Sequence, residues 1–154
     1  MTELRERLTL LCRPEQADAG IAAFFAARED AEGVTRVRLR VPMIGTPVAL
    51  EREVRVEARK TRDAENLNDI VQIAWQAEEA VVFPRFEGSL VTYGTDEGGG
   101  TFLELRGYYQ PPLGAAGQVF DEAIGYQIAR ATACEFLADI KRDVEARVAY
   151  KRPG

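Results

Sequence analysis

The sequence contains no histidine. That absence removes the commonest general base, the usual metal ligand and every nucleophile arrangement that depends on an imidazole. Its two cysteines, Cys12 and Cys134, fall in an expected strand and an expected helix without CxxC spacing. Both read as buried free thiols acting as small hydrophobes, as expected of a cytoplasmic protein. Long apolar runs are missing too. The most apolar stretch, Gly20 to Ala27, is far shorter than the ~20 residues that cross a bilayer. The opening MTELRERLTLLC interleaves charges with apolar residues, unlike a signal peptide and its cleavage site. A formal charge of −5, with both signs mixed along the chain, leaves no basic stripe for phosphates. Nucleic acid is therefore not an expected partner. No metal or cofactor is expected, because Glu51, Glu53 and Glu57 alternate with arginines on one strand. Gly98-Gly99-Gly100 is not followed by the Lys-Ser/Thr of a phosphate loop.

What is present is periodicity. A chain of 154 residues is the size of one domain and buries roughly 70% of its unfolded surface. Arg5 to Cys12 alternates like a short strand. Pro14 then opens a helix in which Ala17, Ile21, Phe24, Phe25 and Arg28 recur at helical spacing until Gly33. From Val34 the period drops to two. Val37, Leu39 and Val41 alternate with Arg36, Arg38 and Arg40, and the next strand sets Val54, Val56 and Ala58 against Glu51, Glu53, Arg55, Glu57 and Arg59. Paired as a hairpin, Arg38 and Arg40 come opposite or diagonal to Glu51 and Glu53, which makes the charge run a solvated sheet face. A third long strand carries Val71, Ile73, Trp75 and Ala77. The fourth starts near Arg85, after Pro84, with Phe86, Gly88, Leu90 and Thr92 on one face. Beyond the loop Asp96 to Gly100, the next strand turns Leu103, Leu105, Gly107 and Tyr109 inward and Glu104 and Arg106 outward, with Glu87 facing Arg106 in the symmetric register. The loop Gln110 to Gly114 suits neither strand nor helix. From Ala115 to about Tyr150 no proline occurs, and Phe120, Ile124, Ile128, Ala131, Phe136, Leu137, Ile140, Val144 and Val148 mark the apolar face of a helix roughly 45 Å long.

Strand, helix, a run of antiparallel strands and a long C-terminal helix make an α+β layer arrangement in one domain, residues 1–154. One helix cannot fill the whole hollow of a wide twisted sheet. The space left between them is the natural place for a mostly apolar pocket.

The residues also resemble a known family. Phe83-Pro84-x-Phe86-x-Gly88-x-Leu90, then Leu103-x-Leu105-x-Gly107-x-Tyr109, then Pro111-Pro112-Leu113-Gly114-x-x-Gly117-x-x-x-Asp121 are similar in order and kind to bacterial members of the START-like (SRPBCC, Bet v 1-like) superfamily, which includes lipid-transfer domains and polyketide cyclases. The resemblance implies a helix-grip fold: a curved antiparallel sheet of about six strands with the C-terminal helix across its concave face. Only the last half of the chain carries these motifs. The first half leaves room for one helix, or one and a fragment, where many members place two.

Trp75, Phe86, Leu105 and Tyr109 on the inner sheet face, with Ile124 and Ile128 on the helix, are the candidate ligand-binding wall. Each fits a core filler at least as well. Arg52 stands on an otherwise apolar strand face, where a guanidinium needs an acidic partner, a ligand carboxylate or a path to solvent. Asp121 and Glu87 are the carboxylates a catalyst would use, although Asp121 also suits the start of a helix. The residues favour a noncatalytic binding or carrier module for a small hydrophobic molecule. A cyclase or dehydratase-like enzyme and an interaction protein with a self-filled cavity stay open. Homodimerisation is compatible with each, because an edge strand needs cover.

Overall fold

The computed structural model describes residues 2–42, 49–62, 69–77, 85–95, 97–110 and 122–151. The elements are β1 (Thr2–Leu10), α1 (Pro14–Ala27), β2 (Thr35–Pro42), β3 (Ala49–Arg62), β4 (Asp69–Ala77), β5 (Arg85–Gly94), β6 (Thr101–Gln110) and α2 (Glu122–Lys151). The six strands form one sheet in the order β1-β6-β5-β4-β3-β2, with every neighbouring pair antiparallel. This is the helix-grip α+β arrangement that the periodicity and the resemblance imply. The first strand begins at Thr2, earlier than the alternation suggests, and Cys12 lies beyond its end.

Pro14 supplies the first residue of α1, where its missing N–H costs nothing, and Gln16 Oε1 accepts the Arg13 N–H at 3.0 Å. The buried face of α1 consists of Ala17, Gly20, Ile21, Phe24 and Phe25. At Gly20 the helix meets α2, and a β-carbon there would lie 2.9 Å from a methyl of Val144. The turn after α1 is built on Asp30, whose Oδ1 accepts from the N–H groups of Glu32 and Val34 at 2.9 Å each. Those backbone bonds, Val34 first, hold its carboxyl below the usual range against a smaller effect of burial. Gly33 completes the turn at φ +81°.

The hairpin of β2 and β3 pairs Arg38 with Glu53 and Arg40 with Glu51, as the charge alternation requires. The hairpin of β5 and β6 corrects one expectation. Glu87 faces Tyr108, and Arg106 faces Ser89. The register is set at the turn: Gly94 pairs with Thr101, Thr95 N–H bonds Gly100 O at 3.1 Å, and Gly98 sits at φ +73°. The same register brings Gly88 directly opposite Gly107. A β-carbon on Gly88 would stand 2.0 Å from Arg106 O, and one on Gly107 would stand 2.3 Å from Glu87 O and 2.7 Å from the tip of the Phe86 ring. The two strands close on each other there, and Phe86 lies over the gap.

α2 runs for 30 residues, about 45 Å at 1.5 Å per residue. It packs against α1, β6 and both edge strands, β1 and β2, so one helix bridges the two margins of the curled sheet. Phe136, Leu137, Ile140 and Val144 are its buried residues facing Leu4, Leu39, Val54 and Ile73 in one continuous core. Cys12 is in that core, but Cys134 is exposed at the flank of α2 towards β1, where its Sγ lies 3.6 Å from Glu6 Oε2. This corrects the expectation that both thiols are buried: Ala133 faces the core, and in a helix one step of sequence turns the Cys134 side chain away from it. Glu104 points to the convex face as expected, yet is only 3% exposed, enclosed by ion pairs with Arg5 at 2.8 Å and with Arg106.

Candidate functional site: a cleft between the first helix and an uncovered half strand

The candidate wall residues come together, but as core. Val56, Trp75, Phe86 and Tyr109 form one cross-strand row through β3, β4, β5 and β6. Trp75 stacks on Phe86 at 4.5 Å and meets Phe136 of α2 at 5.3 Å, while Tyr109 lies 6.1 Å from Tyr126. Leu105 is buried beside this row, and Ile128 packs partly buried against the same core. Trp75 Nε1 is buried without a hydrogen-bond acceptor, alone in this among the described residues. An orphaned buried donor costs about 1–3 kcal/mol. Arg52 pairs through its backbone with Leu39, and Ile124 stands in the first turn of α2. The side chains of both, like Asp121 and the segment 111–120, lie outside the described residues. Glu87 faces Tyr108 and borders two polar clefts on the sheet, but it is exposed there and does not have the enclosed position that would tune a catalytic acid.

A cleft of about 460 Å³ borders Trp75 and Phe86, lined otherwise by mostly polar residues including Arg55, Glu57, Glu87 and Tyr108. A larger space lies beside it, and strand lengths create it. β3 has 14 residues and β2 has 8. Their pairing ends at Val56 with Thr35, so β3 continues from Glu57 to Arg62 with β4 on one side and no β2 on the other. α1 passes over this uncovered half strand. A cleft of about 820 Å³ runs between the end of α1, the Asp30 turn and β3, and charged and polar side chains including Glu29, Arg55, Glu57 and Arg59 line much of it. It adjoins a smaller pocket of about 160 Å³, and Ala22, Phe25 and Ala58 border both.

The smaller pocket is apolar. Its roof is one face of α1, where Asp18, Ile21, Ala22 and Phe25 follow each other at i, i+3, i+4 and i+7. Its floor is the sheet row Lys60, Val71 and Leu90, paired strand to strand, with Ala58 and Thr92 at the sides. Thr92 donates its hydroxyl hydrogen to Asp18 Oδ1 at 2.6 Å, joining roof to floor. Phe25 borders the pocket and stands 6.4 Å from Phe136, which in turn meets Trp75. A chain of rings thus links the pocket to the unpaired indole N–H.

None of the pocket residues was singled out by periodicity as a site. Asp18 reads as a first-turn carboxylate and Thr92 as one of four residues on a strand face. The available signals were the polar Asp18 within the apolar spacing of α1 and the mismatch between the lengths of the second and third alternating runs. Neither points to a cavity until the sheet order places α1 over β3.

Neither a protein-family model nor a curated protein matches the sequence. Solved structures do. A Thermus thermophilus protein, TTHA0849, is 19% identical with a TM-score of 0.52, over 95% of this chain and 99% of that one. The ZhuI aromatase/cyclase from Streptomyces sp. R1128 is 13% identical with a TM-score of 0.53, over 96% of this chain and 95% of its own. A conserved protein from Geobacillus kaustophilus reaches a TM-score of 0.57 at 8% identity, over 94% and 96% of the two chains. Such identities establish architecture, not activity. The described chain shares the helix-grip fold of these structures, the fold that the sequence resemblance implies.

Proposed function

We propose that this protein is a binding or carrier module for a small, mostly apolar molecule held between α1 and the concave face of the sheet. The observation that carries this reading is the apolar pocket under Ile21 and Phe25, which adjoins the larger cleft at the place where β2 leaves β3 uncovered. A concave, largely apolar space with a few convergent polar groups is the usual form of a small-molecule site. Trp75, Phe86, Leu105, Tyr109 and Ile128 serve in this reading as the back wall, one layer behind Phe25 and Phe136. A longer ligand that displaces those two rings reaches Trp75 Nε1 and supplies its acceptor. An aromatase/cyclase on the same fold makes catalysis a second reading, but Glu87, although it borders the larger cleft, is exposed and does not line the apolar pocket.

The test uses the neutral fluorescent probe N-phenyl-1-naphthylamine. Its emission should rise and shift to the blue on binding, and Ala58→Phe should weaken binding at least tenfold by filling the space shared by pocket and cleft. Ala58 is exposed on its strand, so the new ring costs the fold little, and the melting temperature checks this. No emission change in the wild type, or equal binding by a folded Ala58→Phe variant, refutes the site. Native mass spectrometry of gently purified protein then asks what the chamber carries.

A further inference from the structure

The pocket has a polar end as well as a size, and together they specify a chemical class. This rests on the site proposed above. Thr92 is 7% exposed, and its only hydrogen is committed to Asp18 Oδ1 at 2.6 Å. Its oxygen lone pairs therefore remain as acceptors at the edge of an apolar chamber. An incoming group that donates a hydrogen bond is satisfied there; one that only accepts meets an oxygen facing an oxygen and loses its bonds to water. Charge narrows the choice further. Asp18 and Lys60 border the same pocket with opposite charges, so for a charged ligand the attraction of one offsets the repulsion of the other, and the cost of bringing a carboxylate or an ammonium out of water into an apolar chamber is left uncompensated. A neutral donor is what remains, and in small apolar molecules that is a hydroxyl. The volume of about 160 Å³ is close to the ~150 Å³ of an engineered apolar cavity that takes up benzene. It accommodates one ring or a short chain, with any extension passing over Ala58 into the larger cleft.

We infer that the pocket between α1 and β3–β5 selects neutral apolar molecules bearing a hydroxyl group, a simple phenol or a medium-chain alcohol, with Thr92 Oγ1 as the acceptor held in place by Asp18.

The test is displacement of N-phenyl-1-naphthylamine by 4-ethylphenol and by its methyl ether, 4-ethylanisole, which keeps the ring and loses only the donor. In the wild type the phenol should displace the probe at about one-tenth the concentration of the ether, the worth of one neutral hydrogen bond in an apolar site. Thr92→Val keeps the shape, and should bring the ratio to about one by weakening the phenol alone. Thr92→Ser keeps the hydroxyl and should restore the preference. A Thr92 that merely props α1 on the sheet would change the melting temperature and leave the ratio alone. Equal displacement by phenol and ether in the wild type overturns this inference while the binding site stands, and so does a preference that survives in a folded Thr92→Val variant. A probe that never binds overturns the site itself, and the inference with it.

Discussion

Gly88 and Gly107 give the sharpest test of how the sheet acquires its curvature. A methyl on Gly88 would sit 2.0 Å from Arg106 O and 2.6 Å from Gly107 Cα. Carbon and carbonyl oxygen come no closer than about 3.3 Å even in favourable C–H···O contacts, so Gly88→Ala must open the β5–β6 pair by roughly 1.3 Å. The obstacle is backbone, which cannot swing aside as a side chain does. An opening of that size takes the adjoining ladder hydrogen bonds out of range, at about 0.5–1.5 kcal/mol each, and disturbs the packing of Phe86. Against this, alanine recovers only about 0.4–1 kcal/mol through the unfolded chain. The net expectation is a loss of about 3 kcal/mol, equivalent to a fall in melting temperature of roughly 6–12 °C for a chain of this size. Gly107→Ala meets Glu87 O at 2.3 Å and the Phe86 ring at 2.7 Å, and should cost a similar amount. Once one strand has moved, the second methyl finds room. The double variant should therefore fall short of the summed single losses by about 1 kcal/mol or more. Urea unfolding followed by the emission of the single tryptophan, Trp75, stacked on Phe86 at 4.5 Å, measures all four proteins. Single losses below about 0.5 kcal/mol, or strict additivity, would refute the close approach.

Two further outcomes concern titrating groups. Burial pushes the Glu104 carboxyl up, but hydrogen bonds and charge from Arg5 and Arg106 outweigh it and hold the group below its ordinary value. A folded-state pKa below the unfolded one means stability that is complete above the unfolded value and is lost as pH falls through the folded one. The melting temperature of the wild type should therefore exceed that of Glu104→Gln at neutral pH, and the two curves should converge below about pH 4; a gap that stays constant from neutral pH into acid would refute this. Cys134 is exposed and Cys12 buried, and burial raises both thiols, with Glu6 adding to the effect at Cys134. An aromatic disulfide reagent should modify one thiol in the folded protein, faster as pH rises, and two in urea; two equivalents in the native state would show that Cys12 is not in the core.

The elements were legible because each carries its own period. The alternation of Val37, Leu39 and Val41 with three arginines, and of Val71, Ile73 and Trp75 with glutamines, needs no partner strand to be read. The charges of the second and third strands brought Arg38 and Arg40 opposite or diagonal to Glu51 and Glu53, and the β2–β3 register makes them directly opposite. The β5–β6 register was not legible, since Glu87 pairs as well on paper with Arg106 as with Tyr108, and the choice is made by backbone angles in the turn at Gly98. The candidate site was partly legible. Trp75, Phe86, Leu105 and Tyr109 do share the inner face, but whether an inward residue borders space or fills it depends on the helix lying over it. Phe136 and Phe24 close that space under α2, while α1, carrying the alanines Ala22 and Ala26 beside β3, leaves it open.

The pairing of β1 with β6 also bears on how the molecule is made. Arg5 and Glu104 meet across 99 positions of chain, and α2, which bridges both margins of the sheet, follows later still. Contacts so distant in sequence close slowly, because the loop entropy is spent before any of them forms. On the ribosome β1 waits without a neighbour while five strands are made. Its alternating charges, Glu3, Arg5 and Arg7, then serve a second purpose, since they keep a lone strand from pairing with the same strand of another nascent chain.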